Sequence, residues 1–91
     1  MRPVSYLITN FIEKTMNDKG LSIFATADGK YLAMDGSCDT IFKFDLIFSN
    51  NGFSCQVLAK GENGLMLMCS ANISWTNGNA LRDFMEYLSQ L

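Results

Sequence analysis

Residues 42–53 have the sequence FKFDLIFSNNGF, and this stretch decides the fold class. Its apolar and polar side chains alternate as in a β-strand with one buried face, because successive side chains of a strand point to opposite sides. The side chains expected to face the core are Phe42, Phe44, Leu46 and Phe48. The opposite side carries Lys43 and Asp45 but also Ile47, which raises the question of what covers this second face.

Turn signals predict strands on both sides of this one. A turn within residues 49–52 (SNNG) leads into a fourth strand, which places on the phenylalanine face Phe53, Cys55, Val57 and Ala59. Upstream, Asp28-Gly29 suits a two-residue hairpin turn, in which both central residues need positive φ. Pairing Ala27 with Lys30 then predicts one face made of Ile23, Ala25, Leu32 and Met34, and another made of Phe24, Thr26, Tyr31 and Ala33.

A turn at residues 61–64 (GENG) is predicted to lead into a fifth strand at residues 65–74 (LMLMCSANIS). If the side chains alternate regularly, one face holds Leu65, Leu67, Cys69, Ala71 and Ile73, and the other holds Met66, Met68, Ser70 and Asn72. Every residue from Leu65 to Cys69 is apolar. Both faces of this strand are therefore covered, either by the chain itself or by a partner.

Amphipathic helices are predicted at both ends of the chain. After Pro3, helical spacing aligns Val4, Leu7, Ile8, Phe11, Ile12 and Met16, and Gly20 ends the helix. Near the C-terminus, Asn77 or Asn79 is a candidate N-cap for a helix whose apolar stripe is Ala80, Leu81, Phe84, Met85, Leu88 and Leu91.

Residues 1–91 are thus predicted to form a single α+β domain in the order α-β-β-β-β-β-α. Strands joined by tight turns are antiparallel neighbours, so we expect a five-stranded meander-like antiparallel sheet. The simplest arrangement lays both helices across the phenylalanine face. The other face then carries Ile47 and Leu58 among polar residues.

Charge and cysteine content narrow the functional classes. Seven basic and nine acidic residues give a net charge of −2, without the basic run that marks a nucleic-acid-binding protein. No stretch is apolar enough to span a membrane. The three cysteines lack disulfide spacing and no signal peptide is recognisable, so we expect a cytoplasmic protein.

Catalytic signatures are weak. The chain contains no histidine, which removes the commonest general base and zinc ligand. Asp35, Ser37 and Asp39 match the start of a calcium loop, but Thr40 and Leu46 stand where Gly and Glu are needed. We expect no enzyme activity, no metal and no cofactor. The remaining enzymatic hypothesis is a carboxylate pair drawn from Asp28, Asp35, Asp39 and Asp45.

The sequence therefore favours a small interaction protein, such as an inhibitor, immunity factor or adaptor of bacterial or phage type. Its partner is a protein or a second copy, and the candidate partner-binding residues are Ile47, Leu58, Met66, Met68 and Trp75. One alternative is a small dimeric chaperone for a secreted protein, because acidic composition with helices packed on an antiparallel sheet resembles type III secretion chaperones in broad terms. Another is a single-stranded nucleic-acid-binding module that stacks bases on strand aromatics.

Overall fold

The computed structural model describes residues 4–91, which form one open sheet with a helix at each end of the chain. The elements are α1 (Val4–Asp18), β1 (Ser22–Ala27), β2 (Lys30–Met34), β3 (Thr40–Phe48), β4 (Gly52–Gly61), β5 (Gly64–Ser74) and α2 (Gly78–Ser89). The sheet has five strands in the order β1-β2-β3-β4-β5, and every neighbouring pair is antiparallel. The predicted α+β architecture is confirmed. The expected position of Pro3 lies outside the described residues.

The turns bring glycine backbones close to neighbouring strands. Gly29 has φ 73°, as the tight β1–β2 turn requires, and its carbonyl accepts a 2.7 Å hydrogen bond from the Leu46 amide. A Cβ at Gly29 would collide with the Leu46 carbonyl. Gly52, at the start of β4, lies equally close to the backbone of Ile73. Only glycine fits where two backbones approach this closely.

The core lies between the sheet and the two helices. From β3 and β4 it takes the predicted face, on which Phe44, Cys55 and Val57 are fully buried. From the helices it takes Ile8, Ile12, Met16, Phe84 and Leu88. The ring of Phe84 meets that of Phe53 edge-on at 5.7 Å, which joins α2 to β4. Both helices therefore pack on the phenylalanine face, which we call the helix side.

The first hairpin differs from its predicted register. Ala27 does pair with Lys30, but a bulge at Thr26 shifts the next pair to Ala25 with Tyr31. The side chains on the helix side are consequently Ile23, Ala25, Tyr31 and Ala33, while Phe24 pairs with Leu32 on the opposite side. The predicted faces were wrong because one inserted residue reverses the alternation on its strand.

A second bulge divides β5. Cys69 pairs with Val57 and Leu67 with Leu58, which leaves Met68 without a partner on β4. Cys69, Ala71 and Ile73 face the helix side, whereas Leu65 and Leu67 face away from it. The prediction of one continuous face from Leu65 to Ile73 was therefore wrong. The bulge turns the N-terminal half of β5 over relative to its C-terminal half.

The helices follow their predicted stripes with one exception. Leu7 was expected in the core, but its side chain is 59% exposed on α1. On α2, Phe84 and Leu88 are buried as predicted. Of the two candidate N-caps, Asn77 is the one used, since its side-chain oxygen accepts a 3.1 Å hydrogen bond from the Ala80 amide.

Candidate functional site: the open face of the sheet

The side of the sheet opposite the helices is its open face, and a row of apolar residues crosses it. The strand registers connect Phe24 to Leu32, Leu32 to Lys43, Lys43 to Leu58, and Leu58 to Leu67. One side chain from each strand thus contributes to a continuous line. We call the four apolar members, Phe24, Leu32, Leu58 and Leu67, the apolar row. Phe24 and Leu67 are 53% and 57% exposed.

Lysine 43 interrupts the apolar row at its centre. Because Lys43 carries a long hydrocarbon stem, it continues the apolar surface while its ammonium stays in water. The row therefore presents apolar carbon across the sheet with one positive charge near its middle.

Polar residues fill the neighbouring part of the open face. A shallow concavity of about 550 Å³ lies between the strands. The residues lining it are Asp28, Lys30, Asp45, Leu46, Ile47, Ser54, Gln56, Ser70 and Asn72. Ile47 stands out here because its side chain is 73% exposed among polar neighbours.

Two of the three ion pairs at the open face share the carboxylate of Asp45. Lys30 and Lys43 approach Asp45 at 3.6 and 4.0 Å, and Lys60 approaches Asp39, at the foot of β3, at 3.3 Å. Asp45 Oδ1 is shielded from solvent and has no hydrogen-bond partner among the described residues. Such part-exposed pairs contribute about 0–1 kcal/mol each. The three lysines of this region, Lys30, Lys43 and Lys60, are balanced by three carboxylates: Asp45, Asp39 and Asp28, the last of which lines the concavity.

The structure brings together only part of the predicted partner site. Ile47 and Leu58 lie on the open face, as the β3–β4 register requires. Met66 points instead to the helix side, where its sulfur lies against Gly61. Met68 occupies the bulge of the edge strand and is 54% exposed.

Trp75 is held away from the open face. The centroid of its ring lies 5.3 Å from that of Phe53, and its indole N–H donates a 3.2 Å hydrogen bond to the Ser49 carbonyl. Trp75 is partly buried against the core and links the end of β5 to the β3–β4 turn. Its predicted partner contact stays a prediction, and these contacts give it a structural role.

Sequence reasoning missed Phe24, Leu32 and Leu67 as members of this face. The two bulges hid them, because regular alternation assigns Phe24 and Leu32 to different faces and joins Leu67 to Cys69. The signal present in the sequence was the uninterrupted apolar run from Leu65 to Cys69, which marks a strand without a simple inside.

The structure brings together two of the four carboxylates considered for enzymatic chemistry. Of the four candidate carboxylates, Asp28 and Asp45 line the same concavity, while Asp35 accepts hydrogen bonds from the Ser37 and Asp39 amides in the β2–β3 loop. Within residues 4–91, no group of three or more Cys, Asp or Glu side chains is arranged to hold a metal ion.

The strand aromatics considered for base stacking belong mainly to the core. Phe44 and Phe53 are buried, while Phe42 and Tyr31 are partly buried on the helix side. Phe24 is the one member of this group that is largely exposed.

Comparison with known proteins returns no relative: no family model, no curated protein and no solved structure matches the chain. Neither α1 nor α2 is long and apolar enough to cross a membrane. The case for a function therefore depends on the open face itself.

Proposed function

We propose that this chain is a small non-catalytic interaction domain that binds a protein partner through the open face of its sheet. The observation that carries the proposal is the apolar row, whose members lie on β1, β2, β4 and β5 on the side away from the helices, with the hydrocarbon stem of Lys43 between them on β3. Contiguous exposed apolar surface rimmed by polar groups is typical of protein-binding sites.

Shape and charge favour a protein over other ligands. A five-stranded sheet is about 20–25 Å wide at the usual strand spacing, which suits the standard interface of about 800 Å² per partner. A nucleic acid would need a basic groove lined by free aromatic rings. Here Phe44 and Phe53 are buried, and Asp45 neutralises part of the lysine charge. We place this activity in the cytoplasm, where free cysteines such as Cys38 persist.

The test is affinity capture from a lysate of the source organism with the immobilised chain. A double variant, Ile47→Lys with Leu58→Glu, changes both ends of the open face. Glutamate is chosen at position 58 because Lys43 lies directly opposite on β3, so the new charge gains a partner instead of a repulsion. Leu7→Lys is the matched control, since Leu7 is 59% exposed but lies on α1.

We expect a captured protein at one-to-one stoichiometry with the wild type and with Leu7→Lys. The double variant should weaken this capture by about tenfold or more, because it places charges where the partner buries apolar surface. Circular dichroism should show the same fold for all three chains. Capture that survives in the double variant, or that Leu7→Lys also abolishes, would exclude the open face as the site.

A further inference from the structure

A second exposed apolar surface lies at the edge of the sheet, on β5. Four consecutive side chains, Leu65, Met66, Leu67 and Met68, are 40%, 61%, 57% and 54% exposed. We call them the β5 patch. The strand is 11 residues long and contains neither a charged residue nor a proline. It ends the strand order, so its outer edge has no neighbouring strand among the described residues.

The unpaired backbone groups of an edge strand determine which kind of segment can cover it. Its outward N–H and C=O groups are a template for another extended strand. Natural edges are usually blunted with lysine, proline or a short length, and β5 has none of these. The bulge at Met68 restricts regular pairing to one side of it, namely residues 64–67 at the β4–β5 turn.

The covering strand must itself be apolar on both faces. Leu65 and Leu67 lie on the open face, while Met66 lies on the helix side, so both surfaces beside the edge are apolar. A strand with ordinary alternation would leave one of these surfaces against polar groups. Of the two edge strands, β5 is the one that exposes four consecutive large apolar side chains, and these project to both sides of the sheet.

We propose that two copies of this chain pair through their β5 strands, antiparallel, about a two-fold axis. Directly opposed residues of an antiparallel pair lie on the same face of the sheet, so the axis passes through a residue opposite its own copy. Placing the axis at Met66 opposes Met66 to the partner's Met66 and Leu65 to the partner's Leu67. The result is one continuous ten-stranded sheet with a doubled open face.

Charge and symmetry favour this pairing over the alternatives. Because β5 is uncharged, its self-pairing opposes no like charges. The other edge, β1, is 6 residues long and bulged, and its one large exposed apolar residue is Phe24. Pairing β5 with the β1 of another copy would leave free edges at both ends and build an open filament. The β5 self-pair instead closes into a dimer.

The area buried between the two copies limits the affinity of the dimer. A short strand pairing with three apolar cross-strand pairs buries less than the standard interface of about 800 Å² per partner. The dimer is therefore a weak one, with a dissociation constant of about micromolar size. The β5 patch and the apolar row share Leu67, but the inference does not rest on the proposed function, because the pairing depends on Met66 and on the outer edge of β5, which lie away from the open face.

The first test is sedimentation velocity of the purified chain up to about 100 µM, a concentration at which a micromolar dimer is saturated. Wild type should shift from monomer to dimer with concentration. Met66→Lys should raise the dissociation constant by about tenfold or more, because two lysines would meet at the two-fold axis. Ile47→Lys is the matched control and should remain dimeric, since Ile47 is even more exposed than Met66, 73% against 61%, but lies away from the edge.

A monomer at every concentration overturns the proposal. So does a dimer that Ile47→Lys dissociates and Met66→Lys leaves intact, because that result places the two-fold axis on the open face. A wild-type chain that dimerises but captures no partner would overturn the proposed function and support this inference, so the failure of one is distinguishable from the failure of the other.

A cross-linking experiment tests the register without depending on a destabilised variant. In a Cys38→Ser background, which removes the exposed native thiol, Met66→Cys should form an intermolecular disulfide on mild oxidation. Leu7→Cys in the same background is the control and should form no intermolecular disulfide. Equal cross-linking of the two variants would show random collision and would overturn the register.

Discussion

Cys38, Cys55 and Cys69 are free thiols in three different environments. Cys38 is exposed in the β2–β3 loop and has φ 63°. Cys55 is fully buried between the sheet and the helices. Burial raises the pKa of the Cys55 thiol to about 12, with smaller contributions from Cys69 and Asp45. Because the thiolate is the reactive form, Cys55 is protected from modification both by its burial and by the protonation of its thiol.

We expect iodoacetamide at pH 8 to alkylate Cys38 rapidly in the native protein and to leave Cys55 unmodified. Unfolding in urea should expose Cys55 and return its pKa to the ordinary thiol range, so that both residues react. Peptide mapping by mass spectrometry measures each site, and a Cys38→Ser variant identifies the fast signal. Comparable rates at Cys55 and Cys38 in the native state would contradict the buried position.

The raised pKa of Cys55 also gives stability a pH dependence. The folded state binds the thiol proton more tightly than the unfolded chain, so this contribution is complete below the ordinary thiol pKa of 9.0 and is lost as the pH rises towards 12. Unfolding in urea at pH 8 and at pH 10 should show a lower free energy of unfolding at the higher pH. Cys55→Ala should reduce that difference.

At the scale of elements, α2 depends on its cap and its apolar stripe. Asn77 accepts a hydrogen bond from the Ala80 amide and so satisfies one of the free N–H groups at the start of the helix. Phe84 and Leu88 then anchor the helix in the core.

Replacement of the cap gives a sharp comparison between two neighbouring asparagines. Asn77→Ala should lower the free energy of unfolding by about 1 kcal/mol, since it removes the hydrogen bond to Ala80. Asn79→Ala should be neutral or slightly stabilising, because Asn79 is exposed within the helix and alanine has the higher helix propensity. Urea unfolding monitored by circular dichroism measures both. Equal losses would mean that Asn77 is not the effective cap.

At the scale of the whole molecule, one side of the sheet is buried under the helices and the other side is exposed to solvent. Phe44 and Phe24 illustrate the difference, since both are phenylalanines on strands. Phe44 is fully buried under the helices, whereas Phe24 is 53% exposed on the open face. The helices stabilise the fold from one side, which leaves the other side available for binding.

Truncation of these two phenylalanines should have different consequences. Phe44→Ala should cost about 3–5 kcal/mol, because it leaves a cavity at the centre of the core. Phe24→Ala should cost at most about 1 kcal/mol, because much of its side chain is already in contact with water. Urea unfolding at a concentration low enough to keep the chain monomeric measures both values. Similar costs would mean that the open face is part of the folding core.

Short-range sequence patterns were enough to predict much of this architecture. The alternation in residues 42–48 and the turn residues Asp28-Gly29 specify neighbouring antiparallel strands, and the spacing of Ile8, Ile12 and Met16 specifies a helix. These features depend on residues close together in the chain, so they can be inferred without tertiary contacts. The helix side of β3 and β4 followed from the same periodicity.

The faces of β1 and β5 were decided only by the tertiary structure. The bulges at Thr26 and Met68 depend on how each strand fits its neighbour, and one extra residue moves every following side chain to the other face. The position of Leu67 in the apolar row and the separation of Met66 from the open face both follow from these shifts. The sequence by itself determined the elements and their order, whereas strand pairing determined which apolar residues remain exposed, because register is a property of two strands and not of one.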